Sequence, residues 1–206
     1  MKEELQKLRL IPVVAIDSVD AAEPLADALS EGGLPCAEIT LRTEAGLASI
    51  QKLANRKDFL LGAGTVHSAD QAKAVADAGA KFVVTPGFNP KTVTWCLENN
   101  IAIYPGIATP TDLEMALEHG LEVVKFFPAE TLGGVKTLKA FSGPYGDIQF
   151  IPTGGIGPKN LSSYLELPCV LACGGSWMVK SELLREEKFD EIQQLTQEAV
   201  NLSKIS

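Results

Sequence analysis

The sequence predicts an α/β protein, a (β/α)8 TIM barrel forming a single domain over residues 1–206. Three observations carry that prediction. Eight short apolar runs are each followed by a longer amphipathic stretch, and with their ends taken at Ile16, Thr40, Ala63, Thr85, Tyr104, Phe126, Thr153 and Ala172 successive ends fall 19 to 27 residues apart. A strand, a helix and two short loops need about that many residues. The main alternative, an open doubly wound sheet, would be expected to carry a dinucleotide-binding glycine fingerprint after the first strand, and none is there.

Taken in order, the expected strands are Ile11–Ile16, Cys36–Leu41, Phe59–Ala63, Phe82–Thr85, Ile101–Tyr104, Val123–Phe127, Ile148–Pro152 and Val170–Cys173. They are apolar without alternation, as parallel strands covered on both faces are. The stretches between them read as helices. Val19–Glu31 puts Ala22, Leu25, Ala26 and Leu29 on one face, and Ser68–Ala78 does the same with Ala72, Val75 and Ala76. Ser68 suits an N-cap, Pro90 and Pro110 suit first helical turns, and Gly79 and Gly120 suit helix ends. A last helix is expected over 189–205. At 206 residues the chain is short for this fold, so its loops must be short, and no linker or low-complexity segment divides it.

Composition is that of an ordinary globular protein, with 46% hydrophobic and 21% charged residues. A net charge of −8 argues against nucleic acid as a partner, because phosphates would be repelled at long range. A small anion remains possible if its site is built locally. No run approaches the roughly 18 apolar residues of a membrane span, and Met1–Leu10 lacks the apolar core of a secretory signal. The expectation is therefore a cytoplasmic protein with no membrane partner. Cys36, Cys96, Cys169 and Cys173 have no metal-site spacing and read as small buried hydrophobes. His67 and His119 stand apart from any motif, so no metal is expected.

In a barrel of this kind the active site lies at the C-terminal ends of the strands. The polar residues there are Glu38, Thr40, Arg42, Thr65, Thr85, Lys125, Thr153 and Ser176. Lys125 is the most informative, a single charge inside the apolar run Val123–Phe127. Lysine is rarely buried without a partner. Either it reaches the rim and pairs with a carboxylate, or burial favours its neutral amine, which can attack a ketone and form an imine. Glu38, Thr40 and Arg42 share one strand face. A carboxylate near an amine can shuttle protons, and an arginine at a strand exit can grip a carboxylate through two hydrogen bonds. The plain alternative is a structural Glu38–Arg42 ion pair.

Two glycine pairs mark the other side of the expected site. Gly154 and Gly155 follow strand seven with Thr153, and Gly174 and Gly175 follow strand eight with Ser176. Backbone N–H groups at glycines can approach an anion closely, and loops after strands seven and eight are the usual phosphate site of this fold. Gly62–Thr65 after strand three and Pro105–Pro110 after strand five read as turns. Gly133–Gly134 reads as a turn into a short helix.

Together these segments resemble a known family. Glu38-Ile39-Thr40-Leu41-Arg42-Thr43, Gly62-Ala63-Gly64-Thr65-Val66, Val84-Thr85-Pro86-Gly87, Pro105-Gly106, Lys125-Phe126-Phe127-Pro128-Ala129-Glu130, Pro152-Thr153-Gly154-Gly155-Ile156 and Gly174-Gly175-Ser176-Trp177 occur in order, and nearly the whole chain resembles the KDPG/KHG aldolases. The resemblance implies a class I lyase that cleaves 2-keto-3-deoxy-6-phosphogluconate, KDPG, or 4-hydroxy-2-oxoglutarate to pyruvate and an aldehyde. It implies a homotrimeric (β/α)8 barrel that uses neither metal nor other cofactor, with a phosphorylated keto acid as its small-molecule partner. Lys125 matches the Schiff-base lysine and Glu38 the general acid/base. Arg42 and Thr65 match carboxylate-binding positions, Pro86 and Phe127 match pocket-lining ones, and Thr153 lies beside the substrate. Gly154, Gly155 and Ser176 match phosphate-binding positions. A phosphosugar isomerase or epimerase on a similar barrel, or a non-catalytic phosphate-ligand-binding barrel, is the competing reading. Neither has a use for a buried amine.

Overall fold

The computed structural model describes residues 1–204 as an α/β structure whose strand pairs are all parallel. The strands are β1 (Leu10–Val14), β2 (Cys36–Thr40), β3 (Leu60–Gly64), β4 (Phe82–Val84), β5 (Ala102–Tyr104), β6 (Gly106–Ile107), β7 (Val123–Phe126), β8 (Gln149–Pro152) and β9 (Cys173–Gly175). The helices are α1 (Lys2–Leu8), α2 (Ala22–Glu31), α3 (Ala45–Leu53), α4 (Ala69–Asp77), α5 (Pro90–Glu98), α6 (Pro110–Glu118), α7 (Gly134–Phe141), α8 (Leu161–Leu165), α9 (Ser181–Arg185) and α10 (Phe189–Lys204). The expected C-terminal helix is therefore present as α10, and Ile205 lies outside the described residues. A short 3-10 turn, Val19–Ala21, leads into α2.

The predicted helix signals act as their chemistry requires. The Ser68 hydroxyl accepts from the Gln71 N–H, and Pro90 and Pro110 occupy the first turns of α5 and α6. Gly79 and Gly120 follow their helices with φ of 106° and 69°, a region that costs glycine nothing.

The strands form two arcs. One is a curled six-stranded sheet in the order β5-β4-β3-β2-β1-β9, and the other is β6-β7-β8. The chain passes directly from one arc to the other at Pro105, between β5 and β6. Isolated bridges Phe150–Val170 and Thr153–Gly174 link the β8 side to the β9 side. Three expectations need correction. The segment after Tyr104 is not a loop, because β6 continues the fifth strand. Proline has no N–H to donate to the ladder, so β5 pairs with β4 and β6 pairs with β7 on either side of Pro105. The eighth strand begins at Cys173 rather than Val170, because its ladder to β1 starts only at the Leu10–Cys173 pair. Gly62 and Gly64, and likewise Gly174 and Gly175, lie within β3 and β9 and not in turns after them.

Two apolar clusters hold the fold. The larger lies between strands and helices and includes Leu25, Leu29, Ile50, Val75, Leu113, Leu138 and Ile192. The smaller gathers one face of the strands, Ile11, Cys36, Phe82, Val84, Tyr104, Val123 and Ile151, and is joined by Leu5 of α1. Sequence periodicity did not anticipate α1, whose seven residues bury only Leu5. Cys36, Cys96 and Cys173 are buried as free thiols, as expected, and Cys169 is partly buried. Burial raises the Cys96 thiol to about 11, which keeps it protonated and unreactive at neutral pH. Among the described residues no helix is long and apolar enough to cross a membrane.

Candidate active site

Alternation along the strands changes the interior face from apolar to polar. Ile11 and Val13, Cys36 and Glu38, Val123 and Lys125, and Ile151 and Thr153 are paired two positions apart and so share a face. The first member of each pair packs in the smaller apolar cluster. The second lines a cavity of about 260 Å³ at the C-terminal ends of the strands. The site is thus the next layer of side chains above an apolar plug, and the helix and loop ends enclose it.

Lys125 sits in that layer with 6% of its surface exposed. Its Nζ lies 3.5 Å from Glu38 Oε1 and 5.1 Å from the centroid of the Phe127 ring. Glu38 is 2% exposed. Gly64, level with Thr40 on the neighbouring strand, makes room for it, since a Cβ there would stand 2.1 Å from Glu38 Oε1. The sequence pattern left open whether Lys125 turned to the rim or inward, and whether Glu38 paired with Arg42. Lys125 turns inward to Glu38. Arg42 instead donates from Nε to Thr40 Oγ1 at 3.1 Å.

The rest of the predicted set closes round this pair. Arg42, Thr65, Pro86, Phe127, Thr153, Gly154, Gly155, Gly174, Gly175 and Ser176 all line the same cavity. Thr65 adopts φ 58°, a left-handed conformation unusual for a threonine, at the turn leaving β3. Gly154 and Gly155 also have positive φ, at 102° and 79°. Their carbonyls are held by the scaffold: Gly154 O accepts from Glu130 N at 3.1 Å and Gly155 O from Asn160 Nδ2 at 3.0 Å. The Thr153 hydroxyl is buried with no hydrogen-bond partner among the described residues. A Cβ on Gly174 would stand 2.3 Å from that hydroxyl, so the glycine is needed for space rather than for a turn. A buried hydroxyl without a partner costs about 1–3 kcal/mol until something satisfies it, and Thr153 is among the residues that line the cavity.

Of the rim residues singled out by sequence, Thr40 and Thr85 are not among those lining the cavity. The Thr85 hydroxyl donates to Gly87 O at 2.7 Å. Three lining residues escaped the sequence reading: Val13, His67 and Ile156. Val13 was readable from parity with Ile11 on β1, and Ile156 from its place after the glycine pair. His67 had no motif around it. Among the described residues no group of three His, Cys, Asp or Glu side chains is placed to hold a metal ion.

A family model for KDPG and KHG aldolase matches residues 1–195. The chain belongs to the KDPG/KHG aldolase family. A Haemophilus influenzae relative, a 2-dehydro-3-deoxy-phosphogluconate aldolase, is 49% identical over 203 residues, which are 98% of this chain and 96% of the relative. Among solved members of the family, a Legionella pneumophila KDPG aldolase holds pyruvate captured at low pH as a covalent carbinolamine intermediate. It superposes with a TM-score of 0.93 at 37% identity, covering 96% of this chain and 97% of that one. A Zymomonas mobilis KDPG aldolase with 3-phosphoglycerate superposes with a TM-score of 0.92 at 35% identity, covering 98% and 95%. This KDPG/KHG aldolase family member therefore matches its relatives over nearly their whole lengths.

Proposed function

We propose that this protein is a class I aldolase that cleaves KDPG to pyruvate and glyceraldehyde 3-phosphate through an imine on Lys125. The observation that carries the reading is a buried primary amine in a cavity, 3.5 Å from a buried carboxylate. Family membership and the pyruvate carbinolamine seen in a relative support it.

The chemistry follows from the layer of groups round the cavity. The neutral Lys125 amine attacks the C2 ketone of the substrate, and loss of water from the carbinolamine leaves a cationic imine. That cation is an electron sink. Glu38 accepts the proton of the C4 hydroxyl, directly or through one water, the C3–C4 bond breaks, and its electrons form a neutral enamine while the aldehyde departs. Protonation of the enamine at C3 by the same carboxyl restores the imine, and water hydrolyses it to pyruvate and the free amine. Arg42 and Thr65 hold the substrate carboxylate, Pro86 and Phe127 wall the pocket, and Thr153 satisfies its lone hydroxyl against the substrate. The N–H groups of the Gly154–Gly155 turn, with Gly174, Gly175 and Ser176, take the phosphate.

The same reading makes residues 1–206 one domain, joins the two strand arcs as a closed (β/α)8 barrel, and carries a cytoplasmic homotrimer with no partner beyond its small-molecule substrate. Cleavage of 4-hydroxy-2-oxoglutarate to pyruvate and glyoxylate is the expected secondary activity, because it needs the same imine and no phosphate grip. Steady-state kcat/KM on KDPG, its galactonate epimer and 4-hydroxy-2-oxoglutarate, side by side, tests the assignment. KDPG is expected to be the best of the three. Absence of pyruvate release from all three would overturn it.

A further inference from the structure

The hydroxyl of Thr40 is a group that the mechanism above leaves unused. It is 1% exposed, at the end of β2 on the Glu38 face. It donates to the Val14 carbonyl of β1 at 2.7 Å, past the last ladder pair, Val14–Ile39. Because its single proton is spent there, its oxygen is left as an acceptor, and Arg42 Nε fills that role at 3.1 Å. The direction of the chain is thus set: Arg42 Nε–H to Thr40 Oγ1, then Thr40 O–H to the backbone of β1.

From this geometry we propose that Thr40 is a positioning residue that aims the Arg42 guanidinium into the cavity, so that substrate carboxylate is gripped end-on by Nη1 and Nη2. Arginine presents two forks to a carboxylate, one through Nε and an Nη, the other through both Nη atoms. With Nε committed to Thr40, only the second faces a ligand. Arg42 is itself exposed at the rim, where an unrestrained guanidinium would sample many rotamers and lose entropy on every binding event. The buried hydroxyl removes part of that cost beforehand. The inference rests on the reading of Arg42 as the carboxylate grip.

The experiment measures borohydride trapping of pyruvate on the full-length protein. It reads the pyruvate concentration giving half-maximal adduct, and the trapping rate at saturation. The variants are Thr40→Val, Thr40→Ser, Arg42→Ala and the Thr40→Val/Arg42→Ala double. Thr40→Val is expected to raise the half-saturating concentration roughly five- to tenfold, the size of one hydrogen bond. The rate at saturation should hold, since an interaction present before and after the imine forms is uniform binding. Thr40→Ser is expected to restore the wild-type value within about twofold, which a merely volumetric role for the threonine would not produce. In the Arg42→Ala background Thr40→Val should add nothing, because the two act through one contact. An unchanged half-saturation in Thr40→Val, or an equal loss with and without Arg42, overturns the positioning role alone. An unchanged half-saturation in Arg42→Ala overturns the carboxylate grip and the positioning role with it.

Discussion

Lys125 and Glu38 divide the labour of the proposed reaction, and their variants should separate it. In Glu38→Gln the amine and its cavity persist while the proton acceptor is gone. Imine trapping with pyruvate should survive and kcat for KDPG cleavage should fall by about 10²- to 10⁴-fold, read by pyruvate release. Equal loss of trapping and cleavage would assign Glu38 to amine activation instead. Both residues were legible in the sequence for the same reason: a charge inside an apolar strand has few places to go. The direction Lys125 takes was not legible, since rim and interior differ only by the fold around it. Nor was the Thr40–Arg42 contact, because a shared strand face says which residues are neighbours but not which hydroxyl proton is already spent.

At the scale of the element, the glycines of β3 and β9 do what no strand propensity would suggest. Gly64 lies where a Cβ would stand 2.1 Å from Glu38 Oε1. Gly64→Ala should push the carboxylate away from Lys125 and reduce kcat by at least about tenfold, as misplacing a catalytic group does. Far-ultraviolet dichroism should stay unchanged. Full activity in that variant would mean that Glu38 is free to act from elsewhere. Across the cavity, Ser176→Asp places a negative charge at the proposed phosphate grip. It should lower kcat/KM for KDPG while largely sparing 4-hydroxy-2-oxoglutarate, and equal effects on both would remove the phosphate from that end. Gly62 and Gly64 read as a turn, and Gly174 and Gly175 as a loop after the strand, because glycine weakens strands. Gly62, Gly64 and Gly174 leave room for the side chains of Phe82, Glu38 and Thr153 across the sheet, and Gly175 for Trp177 two residues on, a matter of spatial neighbours that a single run of sequence does not encode. Pro105 misled in the same way: it splits the ladder without ending the strand.

For the whole molecule, the proposed catalytic layer and an apolar plug lie at opposite ends of the strands. The polar layer of Glu38, Lys125 and Thr153 rests on an apolar layer whose far side is closed by Leu5 of α1. Leu5 is fully buried, so Leu5→Ala should cost about 2–5 kcal/mol of unfolding free energy in a urea titration. It should leave the KDPG kcat near that of the parent, and a comparable loss of kcat would show that the plug also shapes the site. The strand–helix period was readable from the chain because it repeats with similar chemistry, and the starts of α4, α5 and α6 because Ser68, Pro90 and Pro110 mark them. The N-terminal helix occurs once, is short and buries one leucine, so it left no periodic trace.

Everything in the proposed mechanism passes through one covalent bond, between Lys125 Nζ and the C2 carbon of a keto acid. The most direct measurement is borohydride reduction of the intact protein in the presence of pyruvate, followed by peptide mass mapping. One reduced pyruvate adduct per chain, on the peptide containing Lys125 and lost in Lys125→Ala, is the predicted result. An adduct on another lysine, or turnover of KDPG in the Lys125→Ala variant, would contradict it.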